Sequence, residues 1–499
     1  MKKATHNLSH YKLLTANMGS LIPIGCQEVL PGDHFKHSTS ALVRCAPLLA
    51  PVMHPINVRI HHWFIPHRLV WNDWESFITG GEDGADASTF PTIDLSGGIS
   101  SGTLADYLGI PKGVNESVSA LPFRAYALIY NEWYRNQDLQ TALTIDKTDG
   151  ADSTTNTTLQ SVTWGKDFFT SASPDTQKGS EVNLPLGTEA PVLGIGTGNQ
   201  TYSASSTNVY ETDGTGTTSY ANYKGPLDTT SGDDHAYLEQ DPNNTGFPWI
   251  RADLSNASAA TINQLREAFA LQRMAEMRQR YGGRYTEYLR VAFGVKSPDA
   301  RLQRPEYLGG GKQTIQFSEV LQTGQDFDAN SGVGTLRGHG IGAVRSNRYR
   351  KIFLEHGSVI TLMSVLPKTM YAQGIDKMWS KTTKEDFYQK ELAHLGMQEV
   401  LNKEVYAGHA TPDGTFGYQD RYDEYRRVPS KVHGDFLETT EYHWHAARLF
   451  GSDPALNSAF VTANPTTRIF ASAATDTLKI MANHSLRARR CVPKFGNPV

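Results

Sequence analysis

Histidine and cysteine are the residues of this 499-residue chain best suited to hold a metal, with 17 of the first and 3 of the second. Their spacing argues for little. His443 and His445 are two apart and would share one face of a strand, where Glu441 could complete a partial nitrogen and oxygen ligand set. Beside Trp444, that pattern reads more simply as a packed or partner-facing strand. His61 and His62 are adjacent and point to opposite faces of a strand. Cys26, Cys45 and Cys491 are far apart, odd in number and without a CxxC pair, which excludes a disulfide scaffold and suits a reducing compartment. GGGKQT at 309–314 has the look of a phosphate loop. The full pattern, however, needs glycine where Glu306 stands and Ser or Thr where Gln313 stands. No HExxH motif and no nucleophile elbow appears. The sequence therefore names no catalytic residue, cofactor or metal ligand, and the function to look for is binding or structural.

Two charged stretches carry that search. FGYQDRYDEYRRVPSKVHG at 416–434 interleaves Tyr418, Tyr422 and Tyr425 with Arg421, Arg426 and Arg427. Interleaved aromatic and basic residues suit nucleic acid or a covered protein surface. Asp420, Asp423 and Glu424 cancel the arginines, and carboxylates repel a phosphate backbone, so the stretch reads as a subunit interface. The tyrosine spacing of 4 and 3 would line one face if the segment were helical. The second stretch follows Asp476, after which the chain holds no acid. Lys479, Arg487, Arg489, Arg490 and Lys494 make a basic tail. It reads either as a solvated terminus or as a DNA-facing segment making salt-sensitive, sequence-blind phosphate contacts. Lys2, Lys3 and Lys12 could act likewise.

The elements that would position these residues are mainly strands. INVRIHHWFIP (56–66) is apolar on both faces, as a buried strand is. KIFLEHGSVITLMSVLP, EYHWHAARLF and RIFASAATDTLKIMANHSLRARRCVP also read as strands. WNDWESFITGG reads as a short helix stopped by paired glycines. LPFRAYALIYNEWYRNQ forms a helix face through Phe123, Ala127, Tyr130 and Tyr134, with Pro122 in its first turn. SAATINQLREAFALQRMAEMRQRYGG reads as a helix with Ile262, Leu265, Ala268, Phe269 and Leu271 on its apolar side and Gly282 and Gly283 at its end.

Charge is uneven. Residues 141–245 contain no arginine and hold 4 lysines against 14 acids, so the −4 of the whole chain leaves +6 on the remainder. This block is rich in Ser, Thr, Gly, Asn and Asp. Trp164, Phe168, Phe169, Leu184, Val192, Leu193 and Tyr223 could still give it a small core, so it reads as a surface insertion rather than a linker. The organisation is then 1–140, N-terminal strands with inserted helices; 141–245, the acidic insertion; and 246–499, a helix, loops and the remaining strands with the basic tail. Strands at both ends must pair across the chain, as in a β-sandwich or jelly roll with large insertions. No apolar run is long enough to span a membrane, and the N-terminus lacks a signal-peptide pattern.

Several motifs, in order, resemble one family. EVLPGDHFKHSTSALVR, FIPHRLVWNDWESFI, RYGGRYTEYLRVAFGV, PKTMYAQG (367–374), LGMQEVLNKEVY and FGYQDRYDEYRRVPSKVHGDF are similar to segments of microvirus major capsid proteins, the gokushovirus branch in particular. The resemblance covers about 20–440 without the acidic block. It implies a viral jelly roll, an eight-stranded antiparallel β-barrel with large loop and helical insertions. It also implies a T=1 shell of sixty copies around a circular single-stranded DNA genome, assembled in the cytoplasm of a bacterial host. The partners implied are further copies of the chain, an internal scaffolding protein, a minor DNA-associated protein, and a host surface receptor met by the insertion, with a glycan as one candidate. No catalytic residues or cofactors come with the family. The contrasting reading, a carbohydrate-binding or glycoside-cleaving β-sandwich, needs paired carboxylates at a cleft and an export signal. The sequence identifies neither.

Overall fold

The computed structural model describes residues 3–182, 261–323 and 334–494, with short pieces at 192–193, 195–196, 237–238, 243 and 250–252. The chain divides into a large unit, Met1–Lys178 with Glu276–Val499, and a smaller one, Gly179–Ala275. The large unit is mainly β, with antiparallel sheets and few helices. Its principal strands are β1 (Ala4–Asn7), β2 (His10–Ala16), β3 (Ile22–Val29), β4 (His34–Cys45), β5 (Ile56–Pro66), β6 (Glu306–Thr314), β7 (Gln316–Leu321), β8 (Leu336–Arg345), β9 (Tyr349–Ile352), β10 (Gly357–Pro367), β11 (Met397–Leu401), β12 (Thr415–Asp420) and β13 (Leu478–Arg490).

Among the described residues, a seven-stranded sheet runs β1–β13–β4–β8–β7, with β2 also on β13 and β9 also on β4. A four-stranded sheet runs β6–β5–β10–β3. The two ends of the sequence meet as expected: Ala4 pairs with Arg490, and Ala16 with Leu478. Strand β13 alternates strictly, with Leu478, Ile480, Ala482, His484, Leu486 and Ala488 inward, the period of a half-buried strand. Strand β10 is buried on both faces. Its Met363 and Val365 join Ile22, Val43, Ile60 and Ile480 between the sheets. Its Ile360, Leu362 and Leu366 pack the other way, with Trp63, Trp71, Phe123 and Tyr126. Each fully buried apolar side chain of this size stabilises by roughly 1.5–3 kcal/mol.

The helices form where their punctuation placed them. Helix α1 (Trp74–Thr79) stops at Gly80 with φ +87°. Helix α2 (Leu121–Ile129) has Pro in its first turn and a buried Arg124. The Arg124 Nε donates to Asp152 at 2.8 Å with both side chains fully buried. Thr155 Oγ1 also donates to that carboxylate, at 2.6 Å. Helix α3 (Ile262–Tyr281) ends at Gly282 with φ +97°, and α4 (Tyr285–Phe293) follows. On α3 the apolar side chains Ile262, Leu265, Phe269 and Leu271 are exposed. Trp164 and Val162 belong to the core around α2, and Phe168 and Phe169 to a cluster with Tyr371 and Phe416. Val192 is exposed; Leu193 lies in a two-residue strand paired with Arg251; Leu184 and Tyr223 lie outside the described residues.

Two sequence expectations fail. EYHWHAARLF is not a strand: Thr439–Trp444 forms a 3-10 turn. His445 donates Nε2–H to the Phe436 carbonyl at 2.9 Å and accepts from the Ala447 amide, so it shares no face with His443. RIFASAATD is likewise irregular, and the strand starts only at Leu478. GGGKQT, by contrast, is strand β6 and no loop. Its glycines are there for close approach: a Cβ on Gly311 would stand 2.3 Å from the Arg345 carbonyl oxygen on β8.

A polar seam crosses the interior between the sheets. His484 Nε2 lies 2.9 Å from the Ile24 carbonyl, which can only accept, so that nitrogen carries the hydrogen. Its Nδ1 then accepts from His37 Nε2 at 3.2 Å and from the Thr39 hydroxyl at 3.0 Å. His37 Nδ1 in turn accepts from the Tyr349 hydroxyl at 3.1 Å. His62 bridges Thr361 and Ser346, both at 2.9 Å, and its ring centroid is 4.8 Å from that of His37. No carboxylate is among these partners; the other charged or titratable neighbours are His10, stacked on His484 at 4.8 Å, Lys12, and His61 beside His62. Burial lowers all three: His37 to about 3, His484 to about 4, and His62 well below its ordinary value.

These histidines make stability depend on acid. Below pH 6.5 the unfolded chain binds protons that the folded seam refuses until near pH 4. Stability is therefore lost as pH falls through that window, by up to about 1.4 kcal/mol per pH unit for each histidine. Urea denaturation at pH 7, 6 and 5 should show this decline. Replacing His484 by Gln should reduce the slope by about 1.4 kcal/mol per unit; an unchanged slope would remove the seam as its source.

Candidate functional site

The Tyr/Arg stretch is built on the hairpin of β11 and β12, paired from Met397–Asp420 to Leu401–Thr415. Tyr418 lies within β12. The chain then turns sharply at Tyr422, a non-glycine residue with φ +63°, and Asp423–Tyr425 form a single 3-10 turn. The helical face imagined for the three tyrosines is therefore absent, because the strand runs up to Asp420 and a left-handed residue follows it. Tyr422 is buried: its hydroxyl donates to the Glu385 carbonyl and accepts from the Gln389 amide. Tyr425 is exposed, with the Lys381 ammonium 4.2 Å from its ring centre.

Internal ion pairs fix this turn. Asp423 is buried, with Arg427 Nε at 3.4 Å and Arg426 Nη1 at 3.5 Å. Desolvation still lifts its carboxyl above the ordinary range, against the pull of those arginines. Lys381 pairs with Glu424 at 2.9 Å. Burial opposes the lysine charge, but hydrogen bonds to Tyr425 and Glu424 overcome it and raise its pKa. Arg421 lies over the Tyr422 ring at 5.4 Å. Arg426 and Arg427 thus serve the fold of the turn as well as its surface.

Exposed apolar side chains that the sequence reading missed flank the turn in sequence, at 378–395 and at 428. Trp379 is 74% exposed and Val428 is 86% exposed, and Met378, Phe387, Tyr388 and Leu395 are open to solvent with them. Tyr388 packs on both Tyr422 and Tyr425, with ring centres 5.3 and 6.3 Å apart. Exposed large aromatic and aliphatic side chains are the residue types that protein contacts cover.

The basic residues are arranged otherwise than as a tail. Lys479, Arg487 and Arg489 are on the exposed face of β13. Arg490 turns inward: its Nη2 is 2.5 Å from the buried Asp33 carboxylate and its guanidinium lies over Phe35. It therefore leaves the set of DNA-facing candidates. Lys494 is exposed beyond the strand. Lys12 donates into the interior, to the Tyr107 and Pro23 carbonyls, and Lys3 bonds the Gly32 carbonyl; Lys2 lies outside the described residues.

Neighbouring strands extend the cationic surface. Lys479 pairs with Arg44, and Arg487 with Lys36; Lys36 pairs on its other side with Arg350. Arg345 and Arg337 occupy the same face of β8. The sheet face turned away from the core thus carries eight lysines and arginines. None of its outward positions on β1, β2, β4, β7, β8, β9 or β13 is a carboxylate. Acids close by in sequence are engaged or point the other way: Asp476, just before β13, accepts from Thr15 and Asn17, Asp33, just before β4, holds Arg490, and Glu319 on β7 has the opposite parity. Arg350, then Arg348 and Arg487, lower the pKa of Lys36. The spacing of Lys36 and Arg44, eight apart on one strand parity, was readable; their adjacency to Arg487 and Lys479 was not.

The comparisons with known proteins agree with the motifs. The family model described as Capsid protein (F protein) matches residues 1–499. The capsid protein VP1 of Bdellovibrio phage phiMH2K is 39% identical over 469 residues, covering 90% of this chain and 86% of that protein. VP1 of Chlamydia phage 1 is 34% identical, covering 93% and 90%. VP1 of Spiroplasma virus 4 is 31% identical, covering 99% and 94%. The chain belongs to this family of phage capsid proteins, the microvirus group that its motifs resemble.

The two arrangements separate assembly from folding. Trp379→Ser with Val428→Asp should leave the melting temperature within about 2 °C, as exposed substitutions do, yet abolish shells in electron micrographs. Arg427→Glu should instead destabilise the subunit by roughly 1–3 kcal/mol, by setting a carboxylate beside buried Asp423. Normal shells from the double variant would exclude this surface as a contact.

Proposed function

We propose that the chain is the major subunit of a T=1 icosahedral shell, sixty copies enclosing a circular single-stranded DNA genome. The observation that carries the genome side of this reading is the sheet face with eight cations and no carboxylate. Such a face attracts polyphosphate without reading sequence, and it replaces the C-terminal tail as the proposed DNA contact. Self-assembly uses the turn at 421–428 and the apolar surface around Trp379, where large side chains await cover by neighbouring copies.

The barrel is proposed to be a jelly roll. In chain order β2, β3, β4, β5, β6, β8, β10 and β13 distribute between the two sheets as β2–β13–β4–β8 and β3–β10–β5–β6. That is the exchange between sheets expected of two interlocked Greek keys. An internal scaffolding protein and a minor DNA-associated protein complete the proposed set of partners, with assembly in the host cytoplasm. The acidic block within 141–245 is proposed to stand on the outside and to meet the host receptor, for which a surface glycan is a candidate. Its negative charge suits the side away from the genome. Among the described residues no helix is long and apolar enough to cross a membrane.

Two measurements test this. Changing Lys36, Arg44, Arg350 and Arg487 to Ala should reduce the slope of log affinity for single-stranded DNA against log salt by about 3, whereas Arg490→Ala should leave it unchanged. Equal slopes in both variants would move the DNA contact elsewhere. Deleting about 183–249 should preserve shells and abolish attachment to host cells, because the deletion spares Asp152, without which Arg124 would be a buried unpaired charge. Attachment by shells carrying that deletion would assign the receptor contact to another surface.

A further inference from the structure

A cavity of about 850 Å³ lies within the large unit, apart from the cationic sheet face, walled by the segment after α2, by residues 163–173 and by residues 279–307. Eight basic side chains line it against five acidic ones. Four of the acids are already engaged. Asp420 is 3.0 Å from Arg280, Asp299 is 2.9 Å from Arg304, Glu287 is 3.7 Å from Arg284, and Asp138 is 2.6 Å from Lys178. Arg427 is held by Asp423. Arg135, Lys166, Arg290 and Lys296 are left with Glu132 as the single acid of the lining outside an ion pair.

The arrangement around Arg135 is specific. Its Nη1 donates to the Gln140 carbonyl at 2.8 Å, while its Nε is buried with no hydrogen-bond partner among the described residues. The Arg284 guanidinium is its neighbour and donates to the Asn131 and Arg135 carbonyls. Desolvation and then Arg284 work against the charge on Arg135, and the nearby Glu132 and Asp138 carboxylates offset them only in part. Two adjacent guanidiniums, one with an orphaned donor, are incomplete without an anion that has several acceptor oxygens.

We propose that this cavity is a binding site for a phosphomonoester, with Arg135 and Arg284 as its clamp and Arg290 and Lys166 at its exposed side. The surplus of cations calls for more than the single charge of a carboxylate, and a phosphomonoester carries close to two above its second ionisation near pH 6. Guanidinium forks match its oxygens in pairs. Exposed Tyr281 and Tyr307 in the lining offer flat faces to the organic part of the ligand. The volume is that of a site for a nucleotide or a phosphorylated sugar.

Calorimetric titration of the full chain tests the assignment, with inorganic phosphate, AMP, glucose 6-phosphate and glucuronate as probes. The phosphate esters should bind, glucuronate should bind at least tenfold more weakly, and affinity should rise between pH 5 and 7 as the dianion forms. Binding of AMP alone would identify a nucleotide site; comparable binding of AMP and glucose 6-phosphate would identify the phosphate group itself as the ligand. Arg290 and Lys166 are exposed and without a partner among the described residues, so Arg290→Ala with Lys166→Ala should leave the melting temperature unchanged and weaken phosphate esters by about tenfold or more. Binding of glucuronate as tight as that of the esters, affinity unchanged in the double variant, or no binding of any phosphate probe would overturn the proposal. None of these results depends on shell formation.

Discussion

Strand β13 is the constraint on which the rest depends. It is the last long strand of the chain, yet it sits inside the larger sheet, with β1 and β2 along one side and β4 along the other. Each partner is more than 430 residues away in sequence, as the pairing of Lys479 with Arg44 illustrates. Closing so long a loop costs entropy before any contact returns it. The inward residues of β13 complete the apolar core and supply His484 to the seam. The outward ones supply Lys479, Arg487 and Arg489 to the cationic face. One strand therefore couples the interior chemistry to the exterior.

The seam shows how that coupling is kept specific. Apolar side chains between two sheets can slide past each other at modest cost, whereas a chain of directional hydrogen bonds cannot. Tyr349 to His37, His37 to His484, and His484 to the Ile24 carbonyl fix four strands in register at once. A buried polar network of this kind favours one arrangement when every member is satisfied. Gly25 is part of the same fit, since a Cβ there would stand 2.8 Å from the His484 ring.

Much of this framework was legible because local patterning decides it. The all-apolar segments at 56–66 and 357–367 had to be strands covered on both faces. Gly80, Pro122 and Gly282 marked helix ends by backbone chemistry alone. What escaped reading was decided by neighbours distant in sequence. Arg490 and Lys12 look like any surface cations until Asp33 and the Tyr107 carbonyl are placed beside them. The tyrosines of 418–425 keep a helical spacing, but a hairpin and a left-handed Tyr422 override it. The cationic face is invisible in a chain of net −4, because its members come from four strands and the acids that balance them lie elsewhere.

That face also limits how copies of the chain can meet. Two like-charged sheets brought together would stack cation on cation with no carboxylate on either side to exchange. Such a pairing is disfavoured however well the shapes match. The face thus acts as a veto on back-to-back stacking and leaves the flanks as the available contacts. Copies joined through other surfaces can all turn that face the same way, and a layer built so has two sides that differ in charge.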